Sequence, residues 1–228
     1  IFKSNHVKYK GIPLDQHGMI PSQLENSKAD VICITPSHQF PTGNIMPISR
    51  RIKLLNWANA HWKRYIIEDD YDSEFKYSGK PIPSLQGLDS NGKVIYIGSF
   101  SKSLTPSIRI SYMVLPEPLM QIYRKKLNFY ICPVPTFEQK TLHRLISEGY
   151  FERHLNKMRT IYKKKRETLV SSIQQLLPQS EILGANAGLH LILKVNNGMN
   201  EDQLITTAKK QGIKVHGISQ YYLGSVPS

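Results

Sequence analysis

The sequence predicts an α/β protein built around a mainly parallel sheet. Four short apolar runs, at residues 31–35, 65–69, 94–97 and 110–115, have the length and composition of strands. Each run is continuously apolar rather than alternating, which is typical of strands covered by helices on both faces. A segment with helical periodicity separates the first two runs, and this strand–helix–strand order indicates an α/β class.

The first helix is predicted over residues 48–63. Ile48, Ile52 and Leu55 recur at near-helical spacing along this segment. Ser49 is the expected N-cap, because a serine side chain can accept a hydrogen bond from an unpaired N–H of the first turn. This helix therefore connects the first two strands of the sheet.

Beyond Glu117 the sequence becomes mostly helical and then changes character. The predicted helices are residues 117–128, 136–148 and 150–177, and the last is stopped by Pro178. The final strand–helix–strand segments are residues 189–195, 200–211 and 213–215. We expect a large domain over residues 1–160 and part of a small α+β domain over residues 161–228, with the boundary inside the longest helix.

Composition limits the classes of function. The net charge of the 228 residues is +13, which favours anionic partners, although the run at 163–166 is explained by a solvated helix face. No apolar run reaches membrane-spanning length and no secretory signal opens the chain. Cys33 and Cys132 lack the spacing of a metal or disulfide motif, so we expect a reducing, cytoplasmic location.

Lys102 is the most informative residue of the chain. It follows the strand at 94–97 and lies among Ser99 and Ser101, and Arg109 comes seven residues later. A lysine amine can form a Schiff base with pyridoxal phosphate, while hydroxyls and a guanidinium can hold the phosphate. Taken alone, the segment is better explained by a capped helix start carrying a surface lysine; with Asp69 and Tyr71 one strand earlier, the cofactor site becomes the preferred interpretation.

An acidic segment, Glu68 to Asp72, lies at the end of the second strand. Alternation in an extended chain places Asp69 and Tyr71 on the same side. Asp69 can pair with a protonated pyridine nitrogen, and Tyr71 can bond the 3-oxygen of the same ring. The other three carboxylates are expected to point elsewhere or to cap the following turn. The alternatives are a magnesium site or a simple acidic loop.

The segment after the first strand, residues 35–43, reads Thr-Pro-Ser-His-Gln-Phe-Pro-Thr-Gly. It follows a strand at the position where open α/β sheets carry their ligand loops. A Pro-Thr-Gly turn is common, so this signal has low specificity. Taken alone, His38 is better explained as a loop or packing residue than as a catalyst.

Together these segments resemble the aspartate-aminotransferase-like, fold type I pyridoxal phosphate proteins. The resemblance is closest to the MocR/GabR-type regulators of the GntR family, in which a winged-helix DNA-binding domain is fused to an aminotransferase-like domain. It rests on residues 35–43, 65–75, 99–102, 109–116 and 184–190. It implies the fold of a pyridoxal-phosphate-dependent transferase, with a large domain and part of a small one. It also implies roles for single residues: Lys102 as the Schiff-base lysine, Asp69 as the pyridine partner, Tyr71 as the 3-oxygen partner, and Ser99, Ser101 and Arg109 at the phosphate.

Two departures from the enzymes of this fold refine the expectation. Phe40 stands where typical aminotransferases carry an asparagine before Pro-Thr-Gly, so the 3-oxygen contact is left mainly to Tyr71. No arginine follows Arg166, although the fold clamps the substrate carboxylate with an arginine near its C-terminus. The chain begins at Ile1 without a methionine. We therefore expect the middle and later part of a longer protein.

The resulting hypothesis is an effector-sensing domain of a MocR-type transcription regulator. Its effector would be a small amino compound or pyridoxal phosphate, its DNA contact would come from a winged-helix domain absent from this chain, and the resemblance implies a homodimer. The alternative is a free-standing class I/II aminotransferase in which Lys102 acts as the general base, with at most weak turnover expected here. A degenerate fold without cofactor is least favoured, because Asp69, Tyr71, Lys102 and Arg109 are all present.

Overall fold

The computed structural model describes residues 2–223, and its centre is a four-stranded sheet. The strands are β1 (Leu14–Asp15), β2 (Gly18–Met19), β3 (Val31–Ile34), β4 (Tyr65–Asp70), β5 (Val94–Ser99), β6 (Ser111–Val114), β7 (Glu181–Leu183) and β8 (Ile192–Lys194). The helices are α1 (Pro21–Glu25), α2 (Ile48–Asn59), α3 (Leu85–Leu88), α4 (Glu117–Lys126), α5 (Thr136–Ser147), α6 (Tyr150–Leu176) and α7 (Glu201–Lys210). Two 3-10 turns cover Lys3–Asn5 and Ser219–Tyr221.

The sheet has the order β3-β4-β5-β6, and its first three strands are parallel. Strand β6 runs antiparallel to β5. The predicted mainly parallel α/β sheet is therefore confirmed. The register pairs Ile34 with Glu68 and Asp70 with Gly98, so β3, β4 and β5 end at the same edge of the sheet. The loops that follow these three strands consequently leave the sheet side by side.

One face of this sheet packs against α2 to form the core. Ile32 and Ile66 from the sheet are buried against Leu54, Trp57 and other residues of the helix. Burying a side chain of this size stabilises the fold by about 1.5 to 3 kcal/mol. The core therefore anchors the strands whose ends carry the predicted site.

The opposite face of the sheet differs from the prediction that helices cover both faces. Val31 and Met113 remain about half exposed, and Cys33 is exposed. Within residues 2–223, helix α2 covers one face only. The apolar runs predicted that helices cover both faces of the sheet, and in the described part of the chain only one face is covered.

Helix α2 is shorter than predicted and begins differently. It ends at Asn59 instead of residue 63, where the N–H of Ala60 bonds back to Asn56 and Ala58 in a tightened last turn. Its N-cap is Pro47 in an extended conformation without a side-chain cap, so the predicted capping role of Ser49 is wrong. The fixed φ of proline sets the start of the helix without needing a serine.

The C-terminal strand–helix–strand prediction is partly wrong. β7 and β8 form a short antiparallel pair, and α7 follows with an Asn200 capping box. Residues 213–215 form no strand, because the N–H of Ile213 bonds to the carbonyl of Ala208 and closes the end of α7. Within residues 2–223, every helix is too short or too polar to span a membrane.

Residues 184–191 connect β7 and β8 and lie over the loop that follows β4. The N–H of Gly188 donates to the carbonyl of Phe75 at 2.7 Å, and the N–H of Tyr77 donates to that of Asn186 at 3.1 Å. The predicted strand at 189–195 is consequently reduced to β8. Its first part is instead a connecting segment that lies beside the ends of the parallel strands.

Candidate cofactor site

The acidic segment at the end of β4 divides between the two faces of the sheet. Glu68 is buried on the α2 side, where it accepts hydrogen bonds from the N–H groups of Leu85 and Gln86 at 2.9 Å and lies 3.7 Å from Arg51. Asp70 accepts a hydrogen bond from the Tyr96 hydroxyl at 2.8 Å. The carboxylates thus have separate structural partners, which argues against the magnesium alternative.

Asp69 and Tyr71 lie on the other side, as predicted from alternation. Both are half-buried between the fully buried residues Glu68, Asp70 and Asp72. Burial raises the pKa of the Asp69 carboxyl, and the charges of Asp70 and Asp72 raise it further. This concentration of negative potential favours a cationic group beside Asp69, such as a protonated pyridine nitrogen.

The Tyr71 hydroxyl is kept protonated and is held by His38. Burial raises the pKa of Tyr71 well above its usual range, and the charge of Asp72 adds to the shift. The hydroxyl donates to the His38 carbonyl at 3.0 Å and lies 3.3 Å from His38 Nδ1. Tyr71 is therefore a neutral phenol with a defined orientation, suited to donate a hydrogen bond.

Lys102 lies in a tight turn directly after β5. The N–H of Leu104 donates to the carbonyl of Phe100 at 2.8 Å, and the N–H of Ser101 donates to Ser99 Oγ at 3.1 Å. The Lys102 side chain is exposed and makes no hydrogen bond or ion pair within residues 2–223. Its amine is consequently available for a ligand.

The charge of Lys102 acts on the segment between β7 and β8. Burial lowers the pKa of His190, and the positive charge of Lys102 contributes to the shift. Lys102 therefore lies within electrostatic range of His190. The structure thus brings the predicted anchor close to a residue almost ninety positions later in the chain.

Arg109 closes the same loop in an unusual conformation. Its φ is 49°, a left-handed value that costs about 1 to 2 kcal/mol for a residue with a Cβ. The N–H of Phe100 bonds to the carbonyl of Ile110 at 3.0 Å, so the two ends of the loop meet. Ser99 and Arg109 are the chain neighbours of this bonded pair. The backbone segments that carry the two residues predicted for the phosphate, Ser99 and Arg109, are thus held near each other.

A buried cluster that the sequence did not predict joins three parts of the chain. His38 Nδ1 lies 3.0 Å from Asp72 Oδ2, the His190 ring lies 4.3 Å from the His38 ring, and His190 Nε2 is 3.0 Å from the carbonyl of Pro41. The three side chains offer metal-ligand atoms within 4.8 Å of one another. However, the His38 and Asp72 atoms already share a hydrogen bond, and the backbone of Gly188 packs directly against both. We therefore assign a hydrogen-bonded cluster rather than a metal site.

Phe40, the residue that replaces the expected asparagine, lies among aromatic rings. Its ring contacts those of Tyr71, His190 and Tyr221 at centroid distances of 6.1, 5.8 and 4.8 Å. The peptide bond between Phe40 and Pro41 is cis. Phe40 cannot donate a hydrogen bond, so Tyr71 is the hydroxyl donor that this part of the site presents.

The residues present fit pyridoxal phosphate by the chemistry of their donor set. They provide a free amine at Lys102, a carboxylate with excess negative potential at Asp69, a neutral phenol at Tyr71, and hydroxyls with a cation at Ser99 and Arg109. Buried polar atoms without a partner in residues 2–223 lie in the same loops, among them Gln39 Oε1, Thr42 Oγ1 and Ser103 Oγ.

Comparison with known proteins identifies the family of the chain. Residues 2–227 match the family described as aminotransferase class I and II. The chain belongs to this family. As a family member it shares 29% identity and a TM-score of 0.79 with a kynurenine aminotransferase from Pyrococcus horikoshii, solved with PMP, over 91% of this chain and 54% of that one. The predicted fold is confirmed, and the family supports the predicted pyridoxal phosphate cofactor.

Transcription regulators are among the relatives of the chain in sequence. The chain is 43% identical over its whole length to an uncharacterized HTH-type transcriptional regulator, YdeL, from Bacillus subtilis, of which it covers 49%. It is 32% identical over 97% of its length to a probable rhizopine catabolism regulatory protein, MocR, from Rhizobium meliloti, of which it covers 45%. The chain thus spans about half the length of these relatives. The predicted resemblance to MocR-type regulators is confirmed.

Proposed function

We propose that this family member is the effector-sensing domain of a MocR-type transcription regulator. The observation that carries the proposal is the 43% identity with an HTH-type regulator over the whole chain. The site supports it for two reasons. The Lys102 amine is free, and Phe40 replaces the asparagine that typical aminotransferases carry, so Tyr71 is left as the main donor to the 3-oxygen of the cofactor ring.

The proposal assigns a task to each residue of the site. Pyridoxal phosphate, when bound, supplies a reactive carbonyl carbon and a ring that accepts electrons. Lys102 Nζ would hold that carbon covalently, and Asp69 would keep a proton on the ring nitrogen. Tyr71 would donate its hydroxyl proton to the ring oxygen. Ser99, Ser101 and Arg109 would hold the phosphate through hydroxyl donors and a fixed positive charge.

The effector is proposed to be a small amino compound or pyridoxal phosphate itself. An amine competes with Lys102 Nζ for the same carbon, and the free cofactor fills the site. Either ligand can shift the protein only by as much as it prefers one conformation over another. The conformational change we propose lies between a large domain, residues 1–160, and a small one, residues 161–228.

The partners outside this chain are proposed from its relatives. We expect DNA to be bound through a winged-helix domain that is not among these residues, and we expect a homodimer in the cytoplasm. Large apolar side chains in the α4–α5 loop and at the start of α5 support the dimer, since Ile131 is 92% and Phe137 80% exposed. Exposed apolar patches of this kind are typical of interaction surfaces.

A free-standing aminotransferase remains the second candidate, and the solved structures favour it. The Pyrococcus neighbour is an enzyme with 29% identity over 91% of this chain. The parts needed for transamination are also the parts needed for sensing, so the site alone does not separate the two functions. The regulators are preferred because their identity to this chain is higher.

The two functions are separated by a binding assay with the complete gene product that contains this chain. The regulator proposal predicts specific binding to DNA upstream of its own gene, in a gel-shift assay, and a change in that binding when pyridoxal phosphate is added. Absence of binding to that DNA together with rapid amino-group transfer would overturn the proposal in favour of the enzyme.

A further inference from the structure

We propose that His38 and Asp72 are positioning residues that orient the Tyr71 hydroxyl and connect it to the segment Gly188–His190. The inference rests on the proposed function, in which Tyr71 contacts the cofactor. The proposed function assigns no task to His38 or Asp72, although both are buried and charged or polar.

The His38–Asp72 pair is a closed unit inside the protein. His38 is 1% exposed and Asp72 is 2% exposed. His38 Nδ1 donates to Asp72 Oδ2 at 3.0 Å, and this bond assigns a proton to Nδ1. The same carboxylate oxygen accepts the N–H of Leu189 at 3.2 Å. Asp72 therefore fixes the orientation of the imidazole ring and at the same time holds the small-domain segment.

His38 in turn influences the direction in which the Tyr71 hydroxyl donates its hydrogen bond. The Tyr71 hydroxyl now donates to the His38 carbonyl and lies 3.3 Å from His38 Nδ1. If Tyr71 turns its single proton toward a ligand, its oxygen can share the Nδ1–H of His38 with Asp72 Oδ2 as a second, longer acceptor. Hydrogen bonds in such a chain strengthen one another, so Tyr71 becomes a better donor when His38 donates to it.

The segment Gly188–His190 closes over this pair without any gap. A Cβ added to Gly188 would lie 1.9 Å from His38 Nδ1 and 2.5 Å from Asp72 Oδ2. On the other side the His190 ring contacts the His38 ring at 4.3 Å. A displacement of this segment would break the bond from Leu189 to Asp72 and release His38. The position of the segment Gly188–His190 thus affects the hydrogen bonding of the Tyr71 hydroxyl through His38.

The test is a pH titration of the visible absorption band of the complete gene product with pyridoxal phosphate. A Tyr71 bond to the ring oxygen stabilises its ionised form, so losing the bond raises the apparent pKa of the band. We expect His38→Leu to raise it by about 0.5 to 1 unit, the change that corresponds to one hydrogen bond. Tyr71→Phe should shift it in the same direction.

Two further variants separate positioning from a general structural effect. His38→Asn keeps an N–H donor near the Nδ1 position and should restore most of the wild-type titration. The double variant His38→Leu/Tyr71→Phe should titrate like Tyr71→Phe alone, because His38 acts through Tyr71. His143→Leu, at an exposed position of α5, is the matched control and should change nothing.

The inference is overturned if His38→Leu titrates like the wild type, or if its shift adds to that of Tyr71→Phe. Failure of the cofactor site on which the proposed function rests looks different, since Lys102 would then not be labelled after borohydride reduction in any variant. In that case NMR of the protein without cofactor decides. A slowly exchanging His38 Nδ1–H signal that moves in Tyr71→Phe supports the network, and its absence contradicts it.

Discussion

The two halves of this chain are packed in different ways. The main core cluster lies entirely within residues 19–94, between the parallel strands and helices α1, α2 and α3. In contrast, helices α4, α5 and α7 contain no buried residue, and α6 buries only Leu155. The first half is therefore stabilised by its own core, whereas the helical half presents apolar stripes to its surroundings.

This difference in packing means that the candidate cofactor site and the exposed apolar surfaces lie in different halves of the chain. The loops with Asp69, Tyr71 and Lys102 follow strands of the packed half, which is suited to hold side chains in fixed positions. The half beyond Glu117 contributes the segment Gly188–His190 to that site, and the Tyr221 ring packs on Phe40 beside it. The remainder of its apolar surface is available for other chains, such as the proposed second copy.

The largest effect that the packing difference predicts is on the free energy of unfolding, when a buried leucine and an exposed leucine are each replaced by alanine. Leu54 in α2 is fully buried, whereas Leu176 in α6 is 74% exposed. Leu54→Ala should lower the free energy of unfolding by about 2 to 5 kcal/mol, because it removes buried contacts and leaves a cavity. Leu176→Ala should change it by less than about 0.5 kcal/mol. Equal losses in urea unfolding would show that the two halves are packed alike.

A glycine pair tests the contact between the halves. Gly188 and Gly212 have φ values of 68° and 75°, but a Cβ at Gly188 would collide with His38, whereas nothing lies within 4 Å at Gly212. Both alanine variants carry the same backbone cost, so the collision should destabilise Gly188→Ala by about 1 to 3 kcal/mol more. Thermal unfolding measures the difference. Similar losses would mean that the segment is not closely packed on the His38–Asp72 pair.

The exposed apolar surface predicts a change in assembly. If Ile131 and Phe137 are covered in a homodimer, Ile131→Ser should weaken dimerisation by at least about tenfold, as expected for one buried side chain. Leu176→Ser is the control, because it is exposed outside this patch. Sedimentation of the complete gene product measures the dissociation constant. An unchanged constant would separate this patch from the dimer interface.

The smallest effect concerns His190. Burial lowers the pKa of His190, so the folded state binds fewer protons than the unfolded state below the ordinary histidine pKa. Stability should therefore fall as the pH decreases from about 7 to 5, by less than about 1 kcal/mol from this residue. His190→Gln should reduce that slope in denaturant titrations. A slope that stays the same would contradict the burial of a neutral His190.

The sequence predicted the parallel strands well because their apolar runs are local. The candidate site residues Asp69, Tyr71 and Lys102 could be proposed from the sequence, because they lie at or shortly after the ends of those runs. It did not predict α3, which has four residues and too little periodicity to be detected. The contacts of His38 were missed because its partners, Asp72 and His190, lie 34 and 152 positions away along the chain, and no local pattern records such pairing.

The central proposal is that Lys102 anchors pyridoxal phosphate, and covalent labelling tests it most directly. The complete gene product is incubated with pyridoxal phosphate, reduced with borohydride and analysed by peptide mass spectrometry. The phosphopyridoxyl group should appear on Lys102, should be lost in Lys102→Ala, and should persist in Lys164→Ala, an exposed lysine of α6. Labelling of another lysine, or undiminished labelling in Lys102→Ala, would contradict the proposal.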